Sequence, residues 1–216
     1  MNRRIGAFIA LALEPTRVSP NVVSVCGLLV TLAGATIVAF AHRSISPLEV
    51  GAVLVIWQFA FSLDCADGQL ARIRGQSSPF GAWLDQVLDF LSHTVIFASL
   101  TVFAVRTSEF DEAYGAAFGA MVVSMSVLQL FASSQRNALM GTAPALEAGG
   151  PGRLQILGLG RHLTDYGATL ALAALLLLWP PGLIAFLVVS AVLNGATVAG
   201  QIAINWISYS RARDVD

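Results

Sequence analysis

Asp64, Asp67, Asp85 and Asp89 fall within 26 residues of an otherwise apolar chain, in the run DCADGQLARIRGQSSPFGAWLDQVLD. A carboxylate at membrane depth costs several kcal/mol unless something compensates it, so four together read as a functional site. On a helix, Asp64, Asp67, Gly68 and Ala71 stand at i, i+3, i+4 and i+7 and share one face. Gly81, Asp85, Asp89 and His93 step by four and share another. Between them Arg74 to Pro79 carries Gly75, Ser77 and Ser78, a composition that reverses a chain. Two antiparallel helices would then aim two carboxylates each into one cavity. A lone aspartate near a helix end is usually a cap or a solvated charge; four in paired registers are not. An all-oxygen set suits Mg²⁺ or Mn²⁺.

Gly68, Ala71 and Gly81 leave out side chains beside these carboxylates, so a bulky ligand could approach the backbone. Arg72 adds a fixed charge that pairs with phosphate oxygens two at a time. Carboxylates, cations and an arginine beside a small-residue cleft describe a diphosphate site. Two metal ions about 3.5–4 Å apart could hold a transferring phosphorus and neutralise its leaving group.

The elements that must position these groups are membrane spans. The chain has 216 residues, is 56% hydrophobic and only 12% charged, and has a mean hydropathy of +0.73. That places it among integral membrane proteins and suggests no nucleic-acid partner. A hydrocarbon core about 30 Å thick needs roughly 20 apolar residues as helix. Six stretches qualify, near 22–41, 47–63 (continuing as helix into the aspartates), 80–105, 113–135, 163–179 and 182–207. The polar, glycine-rich stretch 136–162 carries none, and Pro180-Pro181 separates the last two. The expected fold is therefore all-α, one domain, with residues 19–216 forming a six-span core. Residues 1–18 resemble a signal peptide in outline, but Glu14, Pro15 and Arg17 replace a cleavage site. An interfacial helix burying Ile5, Phe8, Ile9 and Leu13 is the preferred reading.

All 12 basic residues are arginine. With six crossings Arg3, Arg4, Arg17, Arg72, Arg74, Arg136, Arg153, Arg161, Arg211 and Arg213 share the side of the termini, and only Arg43 and Arg106 lie opposite. By the positive-inside rule the termini and the aspartates face the cytoplasm of a cell-membrane protein. Cys26 and Cys65 have no metal-ligand or disulfide spacing and read as small buried hydrophobes. Gly115 and Gly119 form a GxxxG that permits close helix approach, within the chain or in a homodimer.

At Asp64, Asp67, Gly68, Ala71, Arg72, Gly81, Asp85 and Asp89 the chain resembles the CDP-alcohol phosphotransferases, whose signature those eight residues fill completely. The six spans and the Ser19-Pro20-Asn21 entry to the first extend the resemblance. It implies that an alcohol attacks the β-phosphorus of a CDP-linked donor and displaces CMP, in phospholipid or polar head-group synthesis. It further implies that Asp64, Asp67 and Asp85 hold one ion, with Asp85 and Asp89 at a second, and that Asp89 is the general base. Asn21, Asp64, Asp67, Gly68, Ala71, Arg72 and Gly81 would line the CDP pocket.

Arg136, Arg153 and Arg161 flank the cytoplasmic ends of the fourth and fifth spans, where members with phosphorylated inositol acceptors place basic residues. They would suit an anionic acceptor; equally, they are positive-inside markers. The segment GRHLTDY resembles members that join two polar head groups, so the acceptor stays open. His93 reads as a polar packing residue or as a partner of Asp89. Two other classes compete. An intramembrane prenyltransferase also uses aspartates and Mg²⁺, but in two separated segments. A divalent-cation transporter would use the carboxylates, yet Arg72 beside them would oppose cation passage.

Overall fold

The computed structural model describes residues 2–41, 44–108, 110–140 and 166–213. These residues form seven helices and no strand: α1 (Asn2–Leu13), α2 (Pro20–Phe40), α3 (Pro47–Ile73), α4 (Pro79–Thr107), α5 (Glu112–Met140), α6 (Tyr166–Leu176) and α7 (Pro180–Arg213). Helices α2, α3, α4, α5 and α7 are long and apolar enough to cross a bilayer. The chain is a multi-pass, all-helical membrane protein. Helix α6 corresponds to the expected fifth span but has 11 residues, and the start of that stretch lies outside the described residues.

Local chemistry sets the helix starts. Ser19-Pro20, Ser46-Pro47 and Ser78-Pro79 each open a helix, with the serine hydroxyl accepting a first-turn N–H and the proline, which has no N–H to leave unpaired, following it. At Ser46 the cap is reciprocal, because Glu49 accepts the Ser46 N–H at 2.7 Å. Helix α3 ends on a Schellman turn in which Gln76 N donates to Ala71 O at 2.8 Å and Gly75 N to Arg72 O at 3.2 Å. Gly75 takes φ +63°, the left-handed conformation this turn requires.

At 27 residues α3 is about 40 Å long, and the 29 of α4 give a little more. Each exceeds a hydrocarbon core of about 30 Å by roughly two turns. If the surplus lies at the α3–α4 turn, both aspartate pairs sit at one membrane boundary.

Apolar side chains gain little by leaving lipid for protein, so close packing and polar bonds between helices hold the bundle together. Helix α2 lies against both α3 and α4, α6 against α3, and α7 against α4, α5 and α6. Trp57, Leu100, Phe103, Leu177, Leu183 and Leu187 fill the shared core. Gly34 makes room for the Trp57 indole, which would lie 2.6 Å from a Cβ at that position. Asn194 Nδ2 donates to Ser126 Oγ at 3.3 Å and Gln201 Nε2 to Ser133 Oγ at 3.2 Å, joining α7 to α5.

Three placements add detail to these expectations. Helix α1 is packed onto the back of α3 through Asn2, Gly6 and Ala10, with Ile9 and Leu13 partly buried and Ile5 and Phe8 left exposed. A Cβ on Gly6 would come within 2.8 Å of Cys65 Cβ and 3.0 Å of Ser62 O. Gly115 and Gly119 face α4 of the same chain, against Val105 and Thr101. Cys26 is exposed, while Cys65 is half-buried.

Arg74, one of the expected surface markers, is a tether. Its guanidinium donates to the carbonyls of Glu14 at 3.0 Å and Thr16 at 2.9 Å, and also to those of Leu13 and Val18. One side chain thus satisfies the end of α1 and the link to α2 from the turn that joins α3 to α4.

Two outcomes follow from this packing. Arg74→Gln should cost about 1.5–3 kcal/mol, the worth of charged hydrogen bonds, and speed tryptic cleavage at Arg17 in proteoliposomes; an unchanged cleavage rate contradicts the tether. Gly6→Val should lower the thermal midpoint, because the added branch meets α3 backbone, whereas a surface helix would tolerate it.

Candidate active site

The Schellman turn brings the two acidic helix faces together. The Asp64 and Asp89 carboxyl groups lie next to each other. Asp64, Asp85 and Asp89 line one small cavity of about 30 Å³ with Ser24, Ser92 and Tyr166. Water needs about 10–15 Å³ in this measure, so the space suits a water or two, or a small ion. Asp67 lies one turn toward the surface, 4% exposed. It is hydrogen-bonded to the Ser24 side chain and to Gly68 N.

Beside the small cavity is a cleft of about 470 Å³, lined among others by Asn21, Asp67, Gly68, Ala71, Arg72, Gly81 and Asp85. Asp85 and Ser24 line both spaces. A volume of this size falls within the range of roughly 300–1,000 Å³ common to small-molecule and cofactor sites. The structure therefore groups the aspartates, Gly68, Ala71, Arg72 and Gly81 as the spacing predicts, with Asn21, which the resemblance added, beside them. Asp85 is exposed to the cleft and Asp64 and Asp89 are half-buried.

Gly68 has a use the sequence did not disclose. A Cβ there would lie 3.5 Å from an Arg72 guanidinium nitrogen, an ordinary contact distance, so the guanidinium lies beside this stretch of backbone. A longer side chain would displace the charge. Gly81 serves the α2 side of the cleft, where its Cβ position is 3.5 Å from Asn21 Oδ1 and 3.2 Å from Ser78 Oγ.

The donor set fits a hard cation. Two carboxylates set this close repel each other, and a cation bound between them would remove that cost. Asp67 Oδ2 is buried without a hydrogen-bond partner, an expensive state for a carboxylate oxygen unless a ligand completes it. Among the described residues, no three His, Cys, Asp or Glu side chains converge into a finished ion cage. All nearby candidate ligands are oxygens, as Mg²⁺ and Mn²⁺ prefer.

Ser24 and Tyr166 are site residues that sequence reasoning missed. Ser24 stands one turn after Asn21 on α2, so the helical i, i+3 relation could have found it. Tyr166 offered no such signal, because it comes from α6, far along the chain. His93 packs as a polar side chain: its ring stacks on Tyr166 with centroids 4.5 Å apart, and Nδ1 lies 3.0 Å from Asp89 O. Arg136 belongs to the last turns of α5, its side chain outside the described set, and Arg153 and Arg161 lie outside the described residues.

The sequence profile of the CDP-alcohol phosphatidyltransferase family matches residues 17–202. A phosphatidylinositol phosphate synthase from Mycolicibacterium smegmatis is 31% identical over 157 residues, covering 73% of this chain and 67% of that protein. A bifunctional IPC transferase and DIPP synthase from Rubrobacter xylanophilus is 33% identical over 159 residues, or 72% of this chain; the match spans only 34% of that longer protein. The fold is similar to that of Mycobacterium tuberculosis phosphatidylinositol phosphate synthase. Its crystal structure with CDP-DAG bound gives a TM-score of 0.63 at 24% identity, covering 94% of each chain. Its complex with manganese and citrate gives 0.63 at 22% identity, covering 93% of this chain and 88% of that one. With the signature complete and the profile matched over most of its length, the chain belongs to the CDP-alcohol phosphatidyltransferase family, membrane transferases that move a substituted phosphate from a CDP-linked donor to an alcohol and release CMP.

Proposed function

We propose that the donor is CDP-diacylglycerol and the acceptor a phosphorylated inositol, the product being a phosphatidylinositol phosphate. The observation that carries this reading is the meeting of the four carboxylates beside a cleft that also holds Arg72 and Asn21. The similarity to phosphatidylinositol phosphate synthases supports the choice of substrates. The signature and the family match favour this reading over a prenyltransferase or a cation transporter.

In this reading Asn21, Gly68, Ala71 and Gly81 line the nucleotide side of the cleft, and Arg72 pairs with the diphosphate oxygens. Asp64, Asp67 and Asp85 would hold one Mg²⁺ or Mn²⁺, with Asp85 and Asp89 at a second. When bound, these ions supply charge neutralisation at the diphosphate and acidify a nearby hydroxyl. The manganese complex of the structural relative supports a divalent ion. Asp89 takes the proton from the acceptor hydroxyl, whose oxygen attacks the β-phosphorus. The bond from that phosphorus to the bridging oxygen breaks, and CMP leaves with the electron pair. Arg136, Arg153 and Arg161 bind the acceptor phosphate. Both termini and the site face the cytoplasm, a placement supported by the arginine distribution.

The test is CMP release from protein in liposomes, with CDP-diacylglycerol and soluble CDP-alcohols crossed against inositol phosphate, inositol, glycerol phosphate and serine. Turnover on CDP-diacylglycerol with inositol phosphate supports the reading, and turnover only on another pair overturns the substrates. Chelation should abolish activity and Mn²⁺ or Mg²⁺ restore it; persistence after exhaustive chelation contradicts the ion assignment. Asp89→Asn should lower kcat about 10²–10⁴-fold, as expected for losing a general base, and full activity removes Asp89 from that role.

A further inference from the structure

We infer that Tyr166 is a positioning residue of the transfer reaction, its phenol hydroxyl donating to the Asp64–Asp89 carboxyl pair and holding Asp89 in its working orientation. This role rests on the reading above, in which Asp89 receives the acceptor's proton.

Tyr166 reaches the carboxylates from α6, outside the signature. It lines the same small cavity as Asp64, Asp85 and Asp89 and lies within electrostatic reach of Asp64 and Asp89. A buried phenol keeps its apolar ring in the core and finds its hydroxyl a partner. Among the other hydroxyls on that cavity, Ser24 donates to Pro20 O at 3.2 Å and Thr31 to Gly27 O at 3.0 Å, within their own helix. Thr31 is engaged within its own helix and Ser24 is shared with Asp67, and neither bonds Asp64 or Asp89.

The ring is fixed on two sides. It stacks on His93 with centroids 4.5 Å apart and planes at 26°, and meets Phe61 edge-on at 5.1 Å and 80°. His93 is held in turn, since its Nδ1 lies 3.0 Å from the Asp89 carbonyl. Height along the membrane is set by the next residue. Gln58 Nε2 donates to Gly167 O at 2.7 Å, and Asn2 Nδ2 donates to Gln58 Oε1 at 2.7 Å. A chain of polar bonds from α1 through α3 therefore registers α6, and with it Tyr166, against the acidic faces.

The experiment compares Tyr166→Phe, His93→Leu and the double variant with wild type in the liposome assay, measuring kcat and donor KM separately. Tyr166→Phe keeps the ring and the fold and removes only the hydroxyl. It should lower kcat about tenfold with donor KM within about twofold, the pattern of an interaction used in turnover and not in donor binding. His93→Leu should lose kcat similarly, and the double variant should be no slower than Tyr166→Phe, because both changes act through one contact. A fully active Tyr166→Phe, or a raised donor KM at unchanged kcat, overturns the role. Losses that multiply in the double variant overturn His93 as its support. Wild type without turnover sinks the functional reading and this role together, whereas active wild type beside an equally active Tyr166→Phe sinks this role alone.

Discussion

Carboxylates at the edge of a bilayer cannot be left to lipid, and that constraint organises the molecule. Four of them are tolerable only if each faces another polar group, which obliges the helices that carry them to run side by side in one register. The α3–α4 hairpin meets this demand by ordinary local means. A Schellman turn with left-handed Gly75 closes α3, and Ser78-Pro79 opens α4 a few residues later. Asp64 and Asp89 then meet directly, while Asp67 is buried with one oxygen still unpartnered. Such an arrangement is costly when empty and favourable around cations, which is the direction a metal-dependent transferase requires.

Other parts of the fold serve the hairpin. Helix α1 is wedged against the back of α3 at Gly6, behind Asp64 and Asp67, and Arg74 ties its far end to the turn. Helix α2 supplies Asn21 and Ser24 to the cleft, and α6 supplies Tyr166. Because van der Waals packing and polar bonds do most of the work between helices in lipid, small residues and bonded side chains recur at these junctions. Gly34 under Trp57 and Gln58 against Gly167 are examples.

Residue patterns with short range were readable in advance. The i, i+3, i+4, i+7 run from Asp64 and the four-residue step from Gly81 gave the two acidic faces. Apolar length gave the helices to within a few residues. Tertiary pairing was not readable. Nothing in the sequence distinguishes Arg74, which reaches four backbone carbonyls, from arginines that only mark a membrane side. Gly115 and Gly119 fit a dimer face as well as the α4 contact they make, because small residues permit close approach without naming the partner. Gly68 lines the cleft as its lack of a side chain suggested, and it also lies against the Arg72 guanidinium, which spacing did not reveal. Tyr166 could not be found by spacing at all.

The central claim is that the acidic faces of α3 and α4 share cations beside the diphosphate cleft. Anomalous diffraction at the manganese edge, from crystals grown with Mn²⁺ and CDP, tests it most directly. The account predicts manganese peaks among the side-chain oxygens of Asp64, Asp67, Asp85 and Asp89, with the CDP phosphates next to Arg72. Manganese found only elsewhere, or nucleotide bound away from these four side chains, would contradict it.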